Sequence, residues 1–329
     1  MPVSELPEFG VPGGMRRFVL AAAAVALPVL AAVALVNAVA DPFGYRGRPL
    51  QSGLNDVRSE VFYRAARPTQ LSWLRTQAGA QNRHAELLVG TSRVVRGFDA
   101  CAHPQRGTMA LPMLTQYEMT QLVRDVLPPP PFEQTVWIEL AQGANAATSE
   151  AHGSRNPNRD DLFSWNAVVT SLDNWATSRS VGKVDGVAGC YVPPQPAVEP
   201  LRDSIGRMHE LENDPRSLGL YRDLLARLAP SCAPSRRMVL ALLPVYVAPQ
   251  SWQEAQAILG RYDATVQAET ARANQRWPAC RFEYRDLALT YLQRGSEAIE
   301  ADVKAGHWVD GVHFTPALGE SLLAGANAR

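Results

Sequence analysis

The sequence predicts a doubly wound α/β domain built on a parallel sheet and placed behind one N-terminal membrane helix. Three observations carry this reading. Short apolar runs alternate with longer stretches of helical spacing, the pattern of strand-and-helix layers. The run Glu86 to Val89 stops at Gly90-Thr91-Ser92, a turn-forming sequence at the carboxyl end of a buried strand, where open α/β sheets bind their ligands. The segment from Phe18 to Ala40 carries no charge at all.

That uncharged segment is the strongest topological signal. As a helix it is long enough to cross a hydrocarbon core of about 30 Å, and membrane helices tolerate a proline such as Pro28. Arg16-Arg17 stand directly before it, which favours the amino end inside and the bulk of the chain outside. Ala38-Val39-Ala40 also fits a signal-peptidase site. The apolar stretch exceeds the usual 7–15 or so residues of a signal core, so an uncleaved anchor is expected. The chain then divides into a cytoplasmic tail (1–17), an anchor (18–40) and an exported domain (41–329).

After the anchor, Asp41-Pro42-Phe43-Gly44-Tyr45 reads as a turn, and Ser59 to Ala66 and Thr69 to Gln77 have mixed helical spacing. Ala85 to Val89 is the first strand. Thr115 to Leu127 reads as an amphipathic helix stopped by the prolines from Pro128 to Pro131, because proline cannot continue a helix. Thr135 to Leu140 is the next strand, with Gln142 and Asn145 just beyond its end. From Ala146 to Cys232 the periodicity weakens, and the stretch reads as an insertion over the active-site face. Within it, Asp160 to Arg179 and Leu201 to Leu228 are expected to be helical, joined by a proline-rich linker from Val192 to Pro200. Met238 to Tyr246 is the clearest buried strand in the chain. Ser251 to Arg276 reads as a long helix, with Ser251 and Glu254 at capping-box spacing. Arg281 to Leu287 is the last strand, and Pro316 to Ala326 a closing helix with its proline early.

Composition excludes some partners. The 329 residues hold 32 basic and 32 acidic side chains, so no global field recruits nucleic acid. The four cysteines permit disulfides in an exported domain. Cys232 and Cys280 each fall shortly before a predicted strand. If those strands are parallel neighbours, their starting ends lie side by side and a Cys232–Cys280 bridge follows. Cys101 and Cys190 are then either a second pair or two buried thiols. No Cys-x-x-Cys or His-x-x-x-His spacing occurs, so neither a zinc site nor another cofactor is expected.

The residues with chemical promise are Ser92, Asp310 and His313. A serine becomes a nucleophile when a base takes its proton, and that base needs a carboxylate to orient it. Asp310 and His313 sit three apart on one short loop before the closing helix. Each has a plainer role open to it, as turn former, turn cap or surface imidazole. Arg93 either binds an anionic substrate group or ties the serine turn to a carboxylate of the insertion. Trp308, beside the Asp-x-x-His block, is either core or a platform for a sugar ring.

These residues resemble a known family. Gly90-Thr91-Ser92-Arg93 is similar to the nucleophile block of the SGNH (GDSL-like) hydrolases, and Asp310-Gly311-Val312-His313-Phe314 resembles their terminal Asp-x-x-His block. The branch resembled is the membrane-anchored one that serves envelope polymer acylation, including the alginate O-acetylation and teichoic-acid D-alanylation proteins. The resemblance implies a three-layer α/β/α, flavodoxin-like sheet with Ser92 as nucleophile, His313 as base and Asp310 as its orienting carboxylate. The family completes its oxyanion site with a glycine and an asparagine; here Asn145 stands for the latter, with Gln142 as rival. It further implies O-acyl transfer, chiefly acetyl, on an envelope or extracellular polysaccharide. The setting would be a bacterial inner membrane with the domain in the periplasm, and the partner a multi-spanning membrane acyltransferase that delivers the acyl group. Two other functions stay open: a periplasmic carbohydrate or lipid esterase, and a catalytically quiet glycan-binding or assembly subunit with the same fold.

Overall fold

The computed structural model describes residues 13–40, most of 71–140, isolated positions between 165 and 169, 201–213 and 217–327. The first element is α1 (Gly13–Ala40), 28 residues with Pro28 inside it. At about 1.5 Å per residue it is roughly 42 Å long. Among the described residues it is the one helix long and apolar enough to span a membrane, and Phe18, Val25 and Leu35 along it are exposed rather than packed on the domain.

The domain is built from β1 (Glu86–Gly90), α2 (Ser92–Gly97), β2 (Arg106–Ala110), α3 (Gln116–Gln121), β3 (Gln134–Glu139), α4 (Ile205–Asn213) and α5 (Ser217–Leu228). There follow β4 (Arg236–Leu242), α6 (Trp252–Arg276), β5 (Arg281–Asp286), α7 (Leu287–Leu292), α8 (Ser296–Lys304) and α9 (Pro316–Asn327). The five strands form one sheet in the order β2-β1-β3-β4-β5, every pair parallel, with helices flanking it. The inner strands are buried along nearly their whole length, which is why Leu87-Leu88-Val89 and Met238-Val239-Leu240-Ala241-Leu242 read as unbroken apolar runs rather than alternating ones. From β1 the chain moves first to β2 on one side and then to β3 on the other. The sheet therefore reverses its winding at the β1/β3 pair, and the crevice at the carboxyl ends of those two strands is the expected binding position.

β2 has no counterpart among the expected strands. Arg106-Gly-Thr-Met-Ala lacks β-branched or aromatic weight, and it is drawn into the ladder by register with β1 (Leu88 opposite Thr108, Val89 opposite Met109). The Met238–Tyr246 strand leaves the ladder after Leu242. The helix from Thr115 begins as expected, with Thr115 and Glu118 forming a capping box, but its last turn, Leu122–Val126, widens to a π-turn before the prolines. The capping box expected at Ser251 does not form. The Ser251 hydroxyl instead donates to Asp203 at 2.9 Å, so a non-local carboxylate outcompetes the local pattern. The helical readings at 59–66 and 160–179, and the linker 192–200, lie outside the described residues apart from the isolated positions near 165.

The outer edge of the sheet is closed by side chains. On β5, Phe282 and Tyr284 are buried while Arg281 is exposed and Glu283 and Arg285 are half-buried. From α6, Asn274 donates to the Phe282 carbonyl and accepts from its N–H, both at 2.9 Å, and Gln267 donates to the Tyr284 carbonyl at 3.3 Å. These bonds and the charges satisfy an edge that would otherwise invite another strand. At the amino ends of β4 and this edge strand, Cys232 and Cys280 form a disulfide, as the adjacency of the two strands allows. Cys101 and Cys190 lie outside the described residues.

Candidate active site

The serine side starts at the end of β1. Gly90 has no room for a side chain: a Cβ there would strike Val94 and come within 2.5 Å of the Glu139 carboxylate. That close approach lets Glu139, the last residue of β3, reach across to the next turn. Glu139 accepts from the Thr91 N–H at 2.6 Å and from the Thr91 hydroxyl at 2.9 Å. Thr91 in turn caps α2 by accepting from the Arg93 N–H. The expected tight turn is thus the capped start of a short helix, with Ser92 as its first residue. The Thr91 and Arg93 N–H groups are taken up in these bonds. The Ser92 N–H sits in the first turn, where backbone donors lack an intrahelical acceptor.

Arg93 is buried and committed to structure. Its guanidinium pairs with Glu139 (Nε–Oε1 2.8 Å, Nη2–Oε1 2.7 Å) and donates to the Leu243 carbonyl at 3.2 Å, so it ties the ends of β1, β3 and β4 together. The expectation that Arg93 receives a substrate anion is corrected accordingly. A charge in such surroundings stays where its buried partner is. Sequence reading missed that partner, because nothing local in Thr135 to Leu140 marks Glu139 as facing a turn 48 residues earlier.

The histidine side is a loop folded on itself. Asp310 Oδ1 accepts from the Val312 and His313 N–H groups at 2.7 and 2.8 Å, and its Oδ2 meets His313 Nδ1 at 2.6 Å. The aspartate thereby shapes the loop and orients the imidazole together. On either side of it, Trp308 and Phe314 pair as an antiparallel bridge, and both side chains are buried. The Trp308 ring packs edge-on against Tyr246, Tyr291 and Phe314 and its Nε1–H donates to Tyr291 at 2.9 Å. Trp308 is therefore core, and the sugar-platform reading is set aside. Gly311 lies against the Arg202 carbonyl, which a Cβ would approach to 2.6 Å, and its own carbonyl accepts from the Tyr246 N–H and the Ser204 hydroxyl, both at 3.0 Å.

The two sides meet at Ser92 Oγ and His313 Nε2, 2.8 Å apart. Burial pushes the Asp310 carboxyl up, but the bond from His313 and the two backbone bonds outweigh it and hold the group below the ordinary carboxylate range. An ionised Asp310 can only accept, so the proton of the neutral ring lies on Nδ1. Nε2 is then free to accept from the Ser92 hydroxyl. Burial lowers the His313 pKa, Asp310 raises it, and the charges of Arg96 and Arg93 lower it again; the net direction is down. The imidazole is thus neutral near pH 7, the form a general base needs. Asn145 and Gln142 lie outside the described residues.

No protein-family model matches the chain, and no curated protein matches it significantly. What can be said of its chemistry rests on the geometry.

Proposed function

We propose that this chain is a membrane-anchored O-acyltransferase of SGNH type, moving an acyl group, in the first instance acetyl, onto hydroxyls of an envelope or extracellular polysaccharide. The observation that carries this is the hydrogen-bonded row Ser92–His313–Asp310 at 2.8 and 2.6 Å, on the crevice side of a parallel sheet. The strand order 2-1-3-4-5 is that of doubly wound, flavodoxin-like sheets, which supports the SGNH reading of the fold. The apolar helix α1 preceded by Arg16-Arg17 supports an anchor with the domain outside, and the Cys232–Cys280 disulfide supports an oxidising compartment such as the periplasm.

In this reading His313 Nε2 removes the Ser92 proton as Oγ attacks the acyl carbonyl. The Ser92 N–H stabilises the resulting oxyanion, a donor whose loss typically costs about 2.7–4 kcal/mol in such sites. Collapse returns the proton from His313 to the leaving oxygen and leaves an acyl-Ser92 ester. A glycan hydroxyl, activated by the same imidazole, then attacks that ester and completes the transfer. The multi-spanning partner would supply the acyl donor to this cycle.

The test is turnover of an aryl acetate by the full chain in detergent, with and without a polysaccharide acceptor. Wild type should release the phenol, Ser92→Ala should reduce release by roughly 10³–10⁶-fold, and the acceptor should emerge acetylated. Equal rates in the two proteins would end the catalytic reading, and release without acceptor acetylation would make the protein an esterase.

A further inference from the structure

Arg93 is accounted for, but a second arginine on the same helix is not. Ser92 and Arg96 are four residues apart on α2 and so share one face of it, and both are partly exposed, while Arg93, Val94, Val95 and Gly97 are buried. Helical side chains lean toward the helix amino end, which directs Arg96 toward the turn that carries Ser92. The Arg96 charge is one of the causes that lower the His313 pKa, after burial. Among the described residues neither a hydrogen bond nor an ion pair engages this guanidinium, whereas Arg93 beside it is neutralised by Glu139. A cation on the nucleophile's face of α2, with no partner among the described residues, does not tie the sheet together as Arg93 does.

We propose that Arg96 recognises an anion on the substrate: its guanidinium takes a carboxylate or phosphate oxygen carried close to the reacting ester, so the site selects negatively charged acyl donors or acceptors over neutral ones. The planar fork of N–H donors suits either oxyanion. This rests on the acyl-transfer reading of Ser92 and adds the charge class of its substrate.

The experiment compares three esters of similar size with the full-length protein: phenyl acetate, 4-acetoxybenzoate and 4-acetoxyphenyl phosphate. The readout is the ratio of kcat/KM for each anionic ester to that for the neutral one, in wild type, Arg96→Gln and Arg96→Lys. Loss of a charge-assisted contact should lower this ratio by about tenfold or more in Arg96→Gln, with Arg96→Lys between. The larger drop among the two anionic esters tells whether carboxylate or phosphate is the better fit. A merely structural arginine would change all three esters alike, and an unchanged ratio overturns the proposal. Binding of benzoate and phenyl phosphate, followed by NMR line shifts, separates the two ideas. If wild type turns over none of the esters yet binds these anions and Arg96→Gln does not, acyl transfer fails and anion recognition stands. If both proteins bind them equally, anion recognition fails whatever the turnover shows.

Discussion

Ser92 and His313 are held in contrasting ways on the two sides of their 2.8 Å contact. The serine depends on distant residues: its turn hangs from Glu139 at the end of a neighbouring strand, and that carboxylate is balanced by Arg93. The histidine depends on its own loop: Asp310 accepts from the two residues that follow it and from the ring, and two buried aromatics clamp the loop's ends. One side is a tertiary construction around a buried ion pair, the other a local motif set into an aromatic bed. The first should fail by losing stability and the second by losing chemistry.

The largest expected effect falls on the local side. Asp310→Asn keeps an oxygen for the two backbone N–H groups but removes the charge that fixes the proton on His313 Nδ1. Its kcat should fall by about 10⁴-fold, as such replacements do in serine triads, with little change in melting temperature. A fall of less than tenfold would mean that Asp310 shapes the loop without serving the base.

Next comes the ion pair. Glu139→Ala leaves Arg93 charged and unpartnered in the interior, so chemical denaturation should show a loss of about 3–5 kcal/mol. Replacing both partners by apolar residues, Glu139→Leu with Arg93→Met, should recover much of that stability while activity stays low, because Thr91 loses its anchor. If the double variant regains full activity, Glu139 does not position the serine.

The disulfide supplies a control far from both sides. Cys232→Ser and Cys280→Ser each open a link across 48 residues, which a chain-entropy account values at about 4 kcal/mol. Thermal unfolding should register the loss, whereas kcat/KM at a temperature where the protein remains folded should stay within about twofold, since ΔΔG values of distant sites are independent.

The smallest effect is in the pH profile. A base has to be neutral to take a proton, and the His313 pKa lies below the ordinary histidine value because burial and the Arg96 and Arg93 charges outweigh Asp310. Activity should therefore be flat through neutral pH and decline only as pH drops through that lowered value. Arg96→Gln removes one cation that disfavours the imidazolium, so its acid limb should move to higher pH. A limb that stays in place would separate Arg96 from the base.

Much of the domain could be read from residue order. Glu86 to Gly90, Thr135 to Glu139 and Met238 to Leu242 became strands because buried parallel strands demand nearly continuous apolar side chains, whereas Arg281 to Asp286 alternates buried Phe282 and Tyr284 with charged residues, as an edge strand can; both patterns are properties of the segment itself. Asp310 and His313 were visible together because a carboxylate can bond backbone groups two and three residues on without help from the rest of the fold. The Cys232–Cys280 bridge followed from two local positions and one topological assumption.

Other features answer to pairings that no local pattern encodes. Arg106 to Ala110 is a strand because β1 offers it an edge. Ser251 abandons its own helix because Asp203 lies within reach. Arg93 is neutralised and Trp308 buried according to which side chains the folded sheet brings near them. Short-range hydrogen bonding and periodic burial act within a few residues, so they are written along the chain. The fate of a charge or a ring depends on partners 40 or more positions away, as for Arg93 and Glu139, and is settled when the strands align.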